Sequence, residues 1–127
     1  MNEPYAPPAV RIAVLLAVKN GADVIALSFV QSADDIINFR PVLKKLGSKA
    51  LIMSKIETRK SVEHIDNIIR ASDAIMIARG DLGAEMPFQQ IPAVQDSIVE
   101  KCRAAGKPVL VATQMLESMI KNPMPTR

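Results

Sequence analysis

A chain of 127 residues with 49% hydrophobic and 23% charged residues has the size and composition of one packed domain, which excludes a disordered or low-complexity polymer. Its net charge of +3 is small and dispersed, and its aromatics are confined to Tyr5, Phe29, Phe39 and Phe88, so no nucleic-acid partner is expected. Apolar runs are interrupted by Lys19, Asp23, Lys55 and Arg79 before reaching the roughly 18–20 residues of a membrane span, so no membrane association is expected either. Met1-Asn2-Glu3-Pro4 lacks the basic start and apolar stretch of a secretory signal. The lone Cys102 cannot form an internal disulfide, which fits a cytoplasmic setting.

Taken in chain order, apolar β-rich runs alternate with amphipathic ones. Val10, Ala13, Val14, Ala17 and Val18 predict a helix from about Pro8 to Asn20, stopped by Gly21. Asp23 to Phe29 reads as a strand buried on both faces. Ser32 is the expected N-cap of the next helix, with Asp34 and Asp35 where the helix dipole favours anions. Ile36, Ile37, Phe39, Val42, Leu43 and Leu46 supply its apolar residues, and Gly47 closes it. Pro41 predicts a kink or a split there. Ala50 to Glu57 is the second strand, and Ser61 is the expected cap of a helix striped by Val62, Ile65, Ile68 and Ile69. The third strand, Ala74–Ala78, runs into Arg79-Gly80-Asp81-Leu82-Gly83. A helix from about Pro92 ends before Gly106, and Pro108–Thr113 is the fourth strand. Leu116 to Ile120 can begin another helix before Pro123.

Strands and helices in strict alternation mean parallel strands joined by right-handed crossovers, in an open doubly wound sheet or in part of a (β/α)8 barrel. The first strand-to-helix junction has no Gly-x-Gly-x-x-Gly fingerprint. Ser28, Lys55, Glu57, Asp81 and Thr113 all fall at or just past strand C-terminal ends, the rim where barrel enzymes keep their chemistry. The α/β barrel is therefore the expected fold.

Strand alternation points Lys55 and Glu57 to one face and Ser54 and Ile56 to the other. An ammonium beside a carboxylate near a barrel axis is costly unless used. Asp81, at the end of the next strand, brings a second carboxylate toward Glu57. Close carboxylates repel unless a cation sits between them, and Mg²⁺ takes one or two carboxylates plus substrate oxygens. Lys55 then offers a charge for a developing oxyanion. A structural ion pair is the plain alternative for Lys55 and Glu57. Gly80 and Gly83 let a backbone approach a ligand closely, or form a mere tight turn. Thr113 can donate a hydrogen bond or simply serve as a strand residue, and His64 reads as a surface histidine.

Ser54-Lys55-Ile56-Glu57, Ala78-Arg79-Gly80-Asp81-Leu82-Gly83-Ala84-Glu85, Gly106-Lys107-Pro108 and Ala112-Thr113-Gln114-Met115-Leu116-Glu117-Ser118-Met119 together resemble the pyruvate kinases, as do Ala26–Val30 and Pro125-Thr126-Arg127. The resemblance runs from Gly21 onward, whereas Asn2 to Val10 does not match. It implies phosphoryl transfer between phosphoenolpyruvate and ADP, giving pyruvate and ATP, with Mg²⁺ (or Mn²⁺) and K⁺. Lys55 matches the family's transition-state lysine, and Glu57 and Asp81 match its Mg²⁺ ligands. Gly80, Asp81 and Thr113 match its substrate-carboxylate site, with Arg79 in the same loop.

The resemblance also implies that residues 1–127 are part of the catalytic barrel domain, family strands four to seven, without the lid and C-terminal regulatory domains. On that reading the K⁺ ligands lie outside this chain. A half-barrel would leave about six to eight inward apolar side chains without an opposite wall, each worth roughly 1.5–3 kcal/mol. Homo-oligomerisation or association with the missing barrel segments is therefore expected, and turnover by the chain alone is not. A metal-dependent barrel lyase or aldolase acting on pyruvate or oxaloacetate, and a non-catalytic fragment that assembles with a complementary chain, are the competing readings.

Overall fold

The computed structural model describes residues 8–125, so the readings at Met1–Pro4, Tyr5 and Thr126-Arg127 lie outside the described residues. Helix α1 (Pro8–Lys19) precedes β1 (Val24–Leu27), α2 (Ala33–Lys45) and β2 (Leu51–Ile56). Next come α3 (Arg59–Glu63), α4 (Ile65–Ala71), β3 (Ala74–Ala78), α5 (Arg79–Glu85), α6 (Ile91–Ala104) and β4 (Val109–Ala112). Short 3₁₀ turns occupy Phe88–Gln90 and Glu117–Ile120. Within 8–125, no helix is long and apolar enough to cross a membrane.

The four strands form one sheet in the order β1-β2-β3-β4, parallel throughout. The register aligns Val24 with Leu51, Met53 with Ala74 and Ile75 with Val109. Sequence-order strands with helical crossovers are the arrangement of a βα barrel wall, whereas a doubly wound sheet reverses its strand order.

Alternation divides each strand between two environments. Ile52, Ser54, Ile56, Ile75 and Ile77 are fully buried beneath the helices, among Ile36, Ile68, Leu82, Ile98 and Cys102. The opposite face carries Val24, Leu51 and Leu110, exposed by 43%, 51% and 48%. The expectation that the first strand is buried on both faces is thus corrected. Only its helix-side residue Ile25 is buried, because no second wall covers the other face among the described residues.

Local chemistry explains the helix boundaries and corrects three further expectations. The Asp35 carboxylate accepts from the Gln31 and Ser32 amides at 2.8 and 3.0 Å, fixing the start of α2. Of the kink or split expected at Pro41, the split does not occur, since α2 runs unbroken over 13 residues. Pro41 and Ile37 are both exposed, so the carbonyl that proline leaves unbonded lies on the solvent side. Ser61 is not the cap of the following helix. Thr58 is, with its side chain accepting from the Ser61 amide while Ser61 Oγ accepts from the Thr58 amide. That helix is also two, interrupted at His64. Gly47 ends α2 at φ +69°, and the Ser48 amide reaches back to the Leu43 carbonyl, a closure that needs the left-handed glycine.

At the N-terminal end of the strands, Asp73 clamps three elements. Its Oδ2 accepts from the Ile52 amide at 2.8 Å and from Arg40 Nη1 at 2.9 Å, while Arg40 Nη2 donates to the Ala71 carbonyl. Burial pushes the Asp73 carboxyl up, but Arg40, the Ile52 amide and Lys107 outweigh it and hold the group below its usual value of 3.8. A depressed carboxylate contributes stability above its unfolded pKa and loses it as pH falls through the folded value. Asp73→Asn should therefore lower stability by about 1–2 kcal/mol at neutral pH. The difference from wild type should shrink as pH falls below 3.8, read by denaturant titration across pH 2.5–7.

Between β2 and the α4–β3 junction lies a buried polar pair. Ser54 and Ser72 are fully buried with their hydroxyls 2.6 Å apart, and Ser72 Oγ donates to the Ile68 carbonyl at 2.7 Å. That donation uses the one Ser72 proton, so Ser54 is the donor of the pair. Ser72→Ala leaves the Ser54 hydroxyl buried and unpaired, whereas Ser54→Ala removes the donor itself. Chemical denaturation should show Ser72→Ala costing about 1–3 kcal/mol and Ser54→Ala less.

Candidate active site

Because all strands are parallel, their C-terminal ends share one rim. Lys55 is the penultimate residue of β2 and Glu57 the first past it, so alternation turns both to the uncovered face of the sheet. Lys55 Nζ lies 2.5 Å from Glu57 Oε1 and donates to Ser28 Oγ at 3.2 Å. Glu57 is only 3% exposed. Its second oxygen, Oε2, accepts from the Phe29 amide at 2.5 Å. Both oxygens are therefore held, in different directions, by a cation and a backbone donor.

Phe29 makes that bond from a left-handed backbone, φ +54°, with an exposed ring. A non-glycine residue there stores strain of roughly 1–3 kcal/mol and marks a position fixed by its surroundings. Its amide is a site group that sequence reasoning missed, since Asp23–Phe29 reads as one extended strand. A polar Ser28 interrupting that apolar run was the available signal.

On the neighbouring strand, β3 passes into α5 without a loop, Ala78 ending one and Arg79 starting the other. The Gly80 amide donates to Thr113 Oγ1 at 2.8 Å, crossing to the end of β4. A side chain at residue 80 would meet that Oγ1 at 3.1 Å, so the close approach explains the glycine. Thr113 stands at φ +72°, an unfavourable backbone for a β-branched residue. With its oxygen accepting from Gly80, its proton remains available to an acceptor in the cleft. Gly80, Asp81 and Thr113, with Gln114 to Ser118 and Ile120 to Asn122, line an open cleft of about 840 Å³.

Asp81 sits in the first turn of α5, exposed, and its carboxylate has no hydrogen-bond or ion-pair partner among the described residues. Continuing the register from Ile56–Ile77 by one residue sets Glu57 level with Ala78, three residues before Asp81. Arg79 is placed elsewhere. It is buried, outside the cleft lining, with Nη1 donating to Gln95 Oε1 of α6 at 2.7 Å and a buried Nε that has no partner. No group of three or more metal-binding side chains occurs among the described residues. The structure thus joins Lys55 to Glu57 and Gly80 to Thr113, adds Asp81 to the cleft, and directs Arg79 into the α5–α6 packing.

A parallel βα wall with an ammonium–carboxylate pair and a glycine-lined cleft on its C-terminal rim defines a segment of a barrel enzyme. A family model described as "Pyruvate kinase, barrel domain" matches residues 11–127, and the chain belongs to that family. Among similar proteins are pyruvate kinases of Sporosarcina psychrophila, 49% identical over 90% of this chain, and Dictyostelium discoideum, 50% identical over 90%. That of Clostridium acetobutylicum is 46% identical over 90%. The chain spans only 20%, 22% and 24% of the length of these three relatives, in the same order.

The bond between Gly80 and Thr113 has a direct readout. Thr113→Val removes the acceptor, so the residue 80 amide should exchange with solvent about five- to tenfold faster, the equivalent of one hydrogen bond near 1 kcal/mol. Thr113→Ser should keep the protection. Amide hydrogen exchange followed by NMR separates the two variants.

Proposed function

We propose that this chain carries part of the machinery that moves a phosphoryl group from phosphoenolpyruvate to ADP. The observation that carries the reading is the buried Glu57 carboxylate fixed between Lys55 Nζ and the Phe29 amide, on the same rim as the Gly80–Thr113 cleft.

In this reaction the bond between phosphorus and the enol oxygen breaks as one forms to a terminal oxygen of ADP. Charge accumulates on the phosphoryl oxygens and on the enolate, which then takes a proton at carbon to become pyruvate. The Lys55 ammonium has three N–H groups, two engaged by Glu57 and Ser28, leaving one for the enolate or phosphoryl oxygen. Glu57 holds that ammonium in place, so it need not reorganise as charge develops. Thr113, oriented by the Gly80 amide, offers its hydroxyl proton to the substrate carboxylate, with the Asp81 amide alongside at the start of α5. Arg79 acts as a positioning residue, tying the base of that loop to α6 through Gln95.

The donor set suits a hard divalent ion. Glu57 and Asp81 offer only carboxylate oxygens, and Glu57 keeps lone pairs beyond the two in use. Mg²⁺ or Mn²⁺ held by Glu57 and Asp81 would supply charge neutralisation at substrate oxygens. K⁺ use would follow the family, its ligands lying outside this chain. A cytoplasmic setting accords with the single buried Cys102, whose thiol pKa is raised by burial.

Mn²⁺ titration of the purified chain tests the ligand assignment. Glu57→Gln and Asp81→Asn should each weaken binding roughly ten- to a hundredfold, as expected for losing a charged contact of about 1.5–3 kcal/mol. Binding indifferent to both substitutions would overturn the assignment. In a lactate-dehydrogenase-coupled assay the chain alone should give no sustained turnover, and Mg²⁺-dependent pyruvate formation would refute its inactivity.

A further inference from the structure

We propose that Arg79 determines the cleft's preference for an anionic ligand, as a buried positive charge left without a counterion, and that Gln95 serves this role by being neutral. The inference rests on the reading of the cleft as the seat of the substrate carboxylate, and it adds a source of charge which that reading does not contain.

The cleft poses a problem of sign. Its lining carries two carboxylates, Asp81 and Glu117, and one ammonium, Lys121. On the neighbouring strand end the Lys55 ammonium is matched by Glu57 at 2.5 Å. Taken together these side chains are net negative, yet phosphoenolpyruvate brings a carboxylate and a phosphate of its own, and like charges set side by side disfavour binding. A divalent ion on Glu57 and Asp81 would cancel those two carboxylates. Lys55, Lys121 and Glu117 would then leave a single positive charge to meet two anionic groups.

Arg79 stands behind this wall. It begins α5 and adjoins Gly80, which approaches Thr113 so closely that an added Cβ would meet Oγ1 at 3.1 Å. The guanidinium is thus carried by the residue next to the cleft lining. It stays protonated in any protein setting. Arg79 is buried, its Nη1 donates to the neutral Gln95 amide at 2.7 Å, and its enclosed Nε has no acceptor. Elsewhere Arg40, Lys55 and Lys101 are each set against a carboxylate, although all three are less buried than Arg79. Because Nε is already shut in, a group from beyond the described residues reaches it only by opening the packing around it.

For folding alone, glutamine is the poorer choice at position 95. A buried cation is costly unless an anion meets it, and a carboxylate of the same reach would make a stronger, charge-assisted bond. For holding an anion nearby, glutamine is the better one. A carboxylate there would cancel the guanidinium field, whereas an amide leaves it intact in surroundings that screen it less than water does. The unfavourable pairing inside is therefore what makes the cleft favourable to a negative ligand.

Titration calorimetry of the purified chain with phosphoenolpyruvate in the presence of Mg²⁺ tests this, alongside denaturant unfolding of the same variants. Gln95→Glu should weaken binding about tenfold, the order expected for cancelling one unit charge at roughly 10 Å with an effective dielectric near 20. The same variant should raise the unfolding midpoint, because the buried guanidinium gains a carboxylate. Gln95→Met keeps the charge and loses the hydrogen bond, so stability should fall while binding stays within about twofold of wild type. A gain in stability together with a loss of affinity is a pairing that a mere packing residue does not produce. Thr113→Val serves as the control for the reading itself, since it removes the hydroxyl donor. Binding unchanged by Gln95→Glu but weakened by Thr113→Val would overturn this inference and leave the reading standing. Equal losses in Gln95→Met and Gln95→Glu would also overturn it, by showing that the contact matters and the charge does not. No binding by wild type, or binding indifferent to Thr113→Val, would bring down the reading and this inference together.

Discussion

The Glu57 carboxylate governs the rim of this molecule. A carboxylate 3% exposed in a protein interior is costly unless its oxygens are met, and here one is met by the Lys55 ammonium and the other by the Phe29 amide. Those two partners come from β2 and from the turn after β1. Satisfying Glu57 therefore fixes the end of β2, forces the chain after β1 into a left-handed turn at Phe29, and leaves Lys55 with its ammonium at a defined point above the sheet. An isolated structural ion pair would have no need of the strained Phe29 backbone, because a surface carboxylate is solvated by water at little cost. Burial and strain together distinguish this pair from an ordinary one.

The opposite end of the strands spends its polar groups differently. Asp73, Arg40, Ser54, Ser72 and Lys107 bond to backbone or to one another, and most of these bonds join neighbouring elements. At the C-terminal rim, by contrast, Asp81 and the Thr113 proton remain uncommitted among the described residues. Closed networks below and open valences above are the division of labour expected of a βα barrel, where one face holds the wall together and the other meets ligands.

Much of this was legible in the residues. The apolar, β-rich runs located all four strands, and the Lys-x-Glu spacing alone required both heads to share a face. Gly80 read as either a close-approach or a tight-turn glycine, and nothing in the string said that its neighbour would be the hydroxyl of residue 113, 33 positions away. What escaped were features set by tertiary context. Helix α2 tolerates Pro41 because the orphaned carbonyl faces water, a fact about burial and not about propensity. Thr58 displaced Ser61 as cap because both residue types cap well and only the path of the chain after β2 chooses between them. Arg79 lies in an Arg-Gly-Asp run whose other members line the cleft. Its side chain instead turns into helix packing, since consecutive residues at a helix start point in different directions.

The same alternation that makes the site also makes the apolar sheet face left uncovered among the described residues. Lys55 faces the barrel axis only because Leu51 and Met53 do, so any wall that presents this ammonium at its rim must present apolar residues beneath it. Catalytic placement and the need for a facing wall are therefore one constraint, set by strand period and by the twist that turns eight parallel strands into a closed ring. A flat sheet could bury its second face under another layer of helices, but a curved wall that keeps its polar rim accessible can bury it only against more wall. Whatever completes that wall must bring parallel strands of matching offset, with apolar side chains turned inward beneath the rim.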